Sequence, residues 1–212
     1  MTLTSKERVF SLLSERVRSC RLCPGLNLPN VSLGAPGFGN LNSPIILVGQ
    51  SLCARCMNSQ EPFDGGCGLI VEEALRLAGR RKKELFITNA IHCHPPGNRP
   101  SYPHEIRNCR QFLLAEIETV NARIIVALGE DATSTLISSM NWRGLVEHFV
   151  PWNDRLVYPM VHPSYARRLG REFLTGYKNR LAAVIRIAFL EASQTGTYAT
   201  PSANETGKPS LQ

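Results

Sequence analysis

No stretch of this chain approaches the roughly eighteen consecutive apolar residues that a membrane-spanning helix needs, so a membrane partner is not expected. The opening MTLTSKERVF carries no apolar core of the kind that marks a secretory signal, which makes the cytoplasm the expected location. No segment repeats itself, which excludes solenoid and propeller arrays. Charged residues are few at 19%, while apolar residues supply 43%. That balance excludes wholesale disorder and suits a single globular domain in 212 residues. A disulfide framework is not expected either, because the seven cysteines are odd in number and no export signal accompanies them.

What is present is an excess of cations. Lysine and arginine number 24 against 17 aspartate and glutamate, a net charge of +7. A basic chain suits a polyanion such as nucleic acid without requiring one. The run Arg80-Arg81-Lys82-Lys83 reads as a solvated turn that adds to this field.

Apolar spacing organises the rest. Val9, Leu12, Leu13 and Val17 fall on one face of a helix over 5–19, followed by a long Gly/Pro/Asn/Ser-rich loop over 24–43. Four short apolar runs, at 45–48, 85–91, 123–128 and 156–161, read as buried parallel strands. Helices are expected near 69–78, 103–120, 130–139 and 168–192, with 145–155 irregular or a small hairpin. From Ser193 the composition turns polar and reads as a disordered tail over 193–212. The expected fold is therefore α/β: three-layer α/β/α with a four-stranded parallel sheet, over residues 1–192. Ligands of such sheets bind outside the carboxyl ends of the strands. Gly49-Gln50, Asn89, Gly129 and His162 all fall there.

Clustered cysteines in a reducing compartment point to metal, an iron–sulfur cluster or thiol chemistry. Spacing alone leaves three readings open. Cys20 and Cys23 could join Cys53 and Cys56 in a zinc site of four thiolates. Cys20, Cys23, Cys93 and Cys109 could ligate an iron–sulfur cluster. Or most of them could be small buried apolar residues.

Several motifs stand in a telling order. Cys20-Arg21-Leu22-Cys23 follows the first helix. Thr88-Asn89-Ala90-Ile91-His92-Cys93-His94-Pro95-Pro96-Gly97-Asn98-Arg99 follows a strand. Cys109 lies in the next helix, Leu128-Gly129 closes a strand, and His162-Pro163-Ser164 comes late. Over most of residues 15–180 the chain resembles the iron–sulfur (family 4) uracil-DNA glycosylases of the uracil-DNA glycosylase superfamily. The resemblance implies a 4Fe-4S cluster held by Cys20, Cys23, Cys93 and Cys109, in a structural rather than redox role. It implies a monomer acting on single- or double-stranded DNA in the cytoplasm, at the nucleoid.

The implied activity is DNA repair by monofunctional hydrolysis of the N-glycosidic bond of uracil or another deaminated base. Such an enzyme extracts the base from the stack before cutting. Phe63 matches the family's stacking ring, Asn89 offers an amide that both donates and accepts to read the base edge, and His162 stabilises the charge of the departing base. Ser164 is placed to bond a flanking phosphate, Tyr165, Ala166, Arg167 and Arg168 match the loop that enters the duplex, and Arg167, Arg168 and Arg171 would grip phosphates. One departure is decisive. Where the family has Gly-Glu-Ala-Pro-Gly, this chain has Gly49-Gln50-Ser51-Leu52-Cys53, so Gln50 takes the position of the water-activating acid. An amide can orient water or bind a base edge, but it cannot usefully accept a proton. Asp64, or less well Glu61, is the nearest substitute in sequence; Cys53, Cys56 and Cys67 are left without a role. Two alternatives to an excising enzyme stay open: a non-catalytic reader of damaged or single-stranded DNA, and a zinc-binding nucleic-acid module.

Overall fold

A computed structural model describes residues 3–137 and 141–196. In chain order the elements are α1 (Ser5–Ser19), β1 (Phe38–Gly39), β2 (Ile45–Ser51), α2 (Cys56–Ser59), α3 (Gly68–Leu77), β3 (Phe86–Ile91), α4 (Pro103–Val120), β4 (Ile124–Leu128), α5 (Glu130–Leu136), β5 (Val150–Trp152), β6 (Arg155–Met160), α6 (Pro163–Ala166) and α7 (Arg171–Gln194). No described helix is long and apolar enough to cross a membrane.

The sheet has six strands in the order β1-β3-β2-β4-β6-β5, two more than the sequence suggests. Its four central strands are the expected parallel ones, and the additions are short antiparallel edges. β1 is two residues inside the stretch expected to be loop, too short for any periodicity to show. β5 forms a hairpin with β6 across a turn in which Asn153 takes a left-handed backbone.

Alternation along the central strands builds the two apolar layers. Ile45 and Leu47 of β2, with Ile124, Val126 and Leu128 of β4, pack under α3 and α7. Ile46 and Val48, with Ile125 and Ala127, pack under α4 and α5. Both faces of these strands are dry, which explains why they read as unbroken apolar runs. The three-layer α/β/α expectation holds.

Helix ends follow local chemistry. Thr4 and Glu7 form a reciprocal capping box at the start of α1. Asn121, in a left-handed conformation, closes α4. The last helix begins at Arg171 rather than Arg168, because Arg167–Leu169 form a separate turn and Gly170 breaks the chain direction at φ 97°. It runs on to Gln194, so the expected tail boundary at Ser193 falls inside α7. The rest of that tail, residues 197–212, lies outside the described residues.

Candidate functional site

The carboxyl edge of the sheet is where the candidates meet. In the β2–β3 register Gly49 lies directly beside Asn89. A Cβ at Gly49 would collide with Asn89 Oδ1 and would sit 2.8 Å from Cε2 and Cζ of Phe63. Glycine is therefore required there: the amide and the ring edge both close over its bare Cα. Asn89 is buried within β3, and its side chain has no hydrogen-bond partner among the described residues. An amide without a protein partner at the sheet edge can both donate to and accept from an incoming group.

Phe63 sits at φ 56°, a left-handed conformation that is costly for a bulky residue. Gly68, at the start of α3, allows this turn to close, since a Cβ on it would overlap the Phe63 carbonyl. The ring is buried at the edge of the core under α3 and α7. The His162 ring lies 6.4 Å away, centroid to centroid, at an interplanar angle of 28°.

His162 is placed by the proline that follows it. A residue before proline is driven to extended backbone, and His162 takes φ −61° and ψ 140° as the N-cap of α6, with Pro163 at the first helical position. Gly129, at φ 105°, lets β4 end against it: a Cβ on Gly129 would lie 3.1 Å from His162 Cβ. The backbone N–H of Ser164 can only donate, and it points at His162 Nδ1 at 3.3 Å; the Ser164 hydroxyl lies 2.7 Å from the same atom. Nδ1 is thus the acceptor, and the ring proton is on Nε2. Burial lowers the His162 pKa to about 4, so the ring is neutral at physiological pH.

Gln50 is half-buried at the end of β2, and its amide has no hydrogen bond among the described residues. Asp64, partly exposed, has its Oδ2 3.9 Å from Arg55 Nε. Glu61 pairs with Lys82 at 3.2 Å.

Beyond His162 the expected DNA-facing loop is largely solvent-facing. Tyr165 is half exposed, and Arg167, Arg168 and Arg171 are exposed with no carboxylate paired to them among the described residues. Ser164 is turned back to His162 instead. Ala166 departs from expectation, since it is fully buried in the core. Leu169, unremarked in the sequence, is an exposed apolar side chain among these cations. An isolated leucine between arginines and a glycine was the available signal.

The cysteines divide cleanly. Cys20, Cys23, Cys93 and Cys109 line one cavity, floored by Leu26 and Ile91. Burial, then the neighbouring Cys109, Cys20 and Cys23, push the Cys93 thiol pKa up. The zinc site of Cys20, Cys23, Cys53 and Cys56 is not formed, because Cys53 and Cys56 are joined to each other in a disulfide. Their two-residue spacing at the start of α2 brings the sulfurs together, so one local bridge exists where none was expected. Among the described residues no three His, Cys, Asp or Glu side chains are spaced to share a single metal ion.

Two supports of the cavity were missed in the sequence. Asn27, in the long loop, donates from Nδ2 to the carbonyls of Val17, Arg18 and Cys20, and accepts from the Gly34 N–H at 2.7 Å. It closes α1 and fixes the turn into Cys20. Arg99 grips buried Glu105 with both nitrogens, at 2.9 and 2.6 Å, and lies 3.9 Å over the Tyr102 ring. That clamp ties the proline-rich loop to the start of α4, the helix of Cys109.

Comparison with known proteins agrees with this geometry. Residues 36–185 match the family described as the uracil DNA glycosylase superfamily. The chain belongs to that superfamily. A type-4 uracil-DNA glycosylase of Thermotoga maritima is 37% identical over 171 residues, 77% of this chain and 86% of the relative. One from Saccharolobus solfataricus is 31% identical over 74% of this chain and 76% of the relative. A type-5 uracil-DNA glycosylase of Thermus thermophilus is 26% identical over 84% and 92%.

Proposed function

We propose that this superfamily member is a DNA-repair glycosylase that flips a deaminated base, with uracil the first candidate, and hydrolyses its N-glycosidic bond. The observation that carries the reading is the meeting of Asn89 and Phe63 at Gly49, with the His162 ring 6.4 Å from that of Phe63, at the carboxyl edge of the sheet. Phe63 supplies the face for stacking. The unpartnered amide of Asn89 reads the base edge.

Neutral His162 donates its Nε2 proton as a hydrogen bond to a carbonyl oxygen of the base. Water attacks the sugar C1′, the bond to the base nitrogen breaks, and the electron pair leaves on the base. A neutral donor suits this task, because its proton is held through the physiological range. No carboxylate at position 50 accepts the proton of the attacking water, so it passes to solvent or to the departing base. Slow excision follows. None of the converging residues is a lysine, so no amine is offered for Schiff-base chemistry, and the reaction is monofunctional. Arg167, Arg168 and Arg171 hold phosphates, while Tyr165 and Leu169 fill the gap beside the flipped base. The protein works as a monomer on cytoplasmic DNA.

The four-cysteine cavity fits a 4Fe-4S cluster. Four sulfurs around one space suit a polynuclear group in which each thiolate binds a different iron. When bound, that group supplies a structural tie among α1, the proline-rich loop and α4; no bond-breaking step passes through it.

The test is single-turnover excision from single- and double-stranded DNA carrying uracil, hypoxanthine or xanthine. Release of a base establishes the enzyme and names its lesion. Tight, salt-dependent binding with no release on any substrate favours the non-catalytic reader, which the Gln50 amide supports.

A further inference from the structure

Beneath the cysteine cavity lies a buried polar network that base excision does not use. Glu116, on α4, is fully buried. Its Oε1 accepts the Gly37 N–H at 2.7 Å, and its Oε2 accepts the Thr88 hydroxyl. The same Oε2 faces His92 Nε2 at 3.0 Å. The other ring nitrogen of His92, Nδ1, lies 3.2 Å from Cys109 Sγ, and the His92 backbone N–H donates to that sulfur at 3.2 Å as well. The ring edge meets Phe112, which holds its plane.

Packing does not account for this arrangement. A buried ion pair is often no more stable than apolar side chains of the same volume, and His92 and Glu116 are both at or below 1% exposure. The direction of each hydrogen bond follows from the partners. A carboxylate oxygen can only accept, so Nε2 carries a proton. A thiolate that ligates iron has only lone pairs to offer, so Nδ1 carries one too. Donors are unevenly shared among the four sulfurs: Cys109 faces two, Cys23 faces Asn108 Nδ2 at 3.5 Å, and Cys20 and Cys93 face none among the described residues.

We propose that His92, oriented by Glu116, is a positioning residue for the iron–sulfur group: its ring N–H donates to the Cys109 sulfur, holds that ligand in place and stabilises the reduced cluster. The proposal rests on the reading of Cys20, Cys23, Cys93 and Cys109 as cluster ligands. Hydrogen bonds to ligand sulfurs set the potentials of such clusters, and loss of partners of this kind typically weakens metal retention by about 10- to 100-fold.

Two substitutions separate the two nitrogens. In His92→Asn the amide nitrogen can occupy the place of Nδ1 and keep the bond to sulfur. In His92→Gln it can occupy the place of Nε2, keeping the bond to Glu116 and losing the one to sulfur. The experiment uses holoprotein purified without oxygen, and reads iron and sulfide content, bleaching by an iron chelator, and the midpoint potential by mediated titration. Expected is a wild type that holds iron and sulfide. His92→Gln should bleach about 10-fold faster and shift its midpoint to a more negative value, while His92→Asn stays near wild type. Wild-type protein that holds its cluster, with both variants unchanged or both changed alike, would overturn the proposal alone. Wild-type protein without iron and sulfide would overturn the cluster reading and the proposal with it. Should neither variant fold, pulsed EPR of the reduced wild-type cluster with 15N-labelled histidine reads the contact directly, and no coupled histidine nitrogen would overturn the proposal.

Discussion

Two sites share strand β3 and the loop after it, yet they treat their polar groups in opposite ways. Around the cysteine cavity nearly every polar group has a partner: Asn27 is saturated, Arg99 and Glu105 are matched fork to fork, and His92, Glu116 and Thr88 close on one another. At the base pocket the amides of Asn89 and Gln50 have none among the described residues. A scaffold is stabilised by satisfying its own buried groups. A binding site keeps some unsatisfied so that a ligand can complete them. The two are stitched together: the Leu52 N–H donates to the Cys93 carbonyl, and His94 Nδ1 lies 2.9 Å from the Leu52 carbonyl. The cysteine loop thereby braces the segment that follows Gln50.

Breaking the scaffold should have the largest effect. Cys93→Ser is expected to lose the iron and with it several kcal/mol of stability, a fall in Tm of about 10 °C or more. Iron analysis and thermal unfolding check it; full iron content at an unchanged Tm would erase the distinction drawn between the two sites. Altering the half-buried Gln50 should leave stability nearly untouched and move the rate. Gln50→Glu restores a proton acceptor where the superfamily resemblance places one, and should raise single-turnover excision by about 10²-fold or more. An unchanged rate would show that water activation occurs elsewhere.

Phe63→Ala removes one stacking surface. Base–aromatic stacking is worth about 1–3 kcal/mol, so excision should weaken by about 10- to 100-fold. The smallest effect belongs to the rim. Arg168→Ala should cut affinity uniformly across sequences and reduce the slope of log affinity against log salt by about 1. Titrations at several salt concentrations would read that slope directly.

Much of the fold was legible because its signals are local. The four central strands are dry on both faces, so each shows as an unbroken apolar run, and α4 spans Pro103–Val120 because a proline opens it and an asparagine closes it. The edge strand β1 was not legible, since two residues paired to a distant partner leave no period in the sequence, while β5 showed only as one arm of a possible small hairpin over 145–155. The nearness of Phe63, Asn89 and His162 at one sheet edge was anticipated, the last two from motif order and strand ends and Phe63 from the family resemblance. Their supports were not: the bond from Glu116 to Gly37 joins residues 79 apart, and Asn27 reads in sequence as one more loop asparagine. Leu169 escaped notice because an exposed leucine is ordinary until its neighbours are known.

The most direct measurement is the single-turnover excision rate of His162→Ala beside wild type, on uracil-containing DNA with protein in excess over substrate. Loss of the neutral donor proposed for the departing base should slow the reaction by about 10²–10³-fold while DNA binding persists. Equal rates for the two proteins would contradict the role given to His162 and, with it, the mechanism built on this pocket.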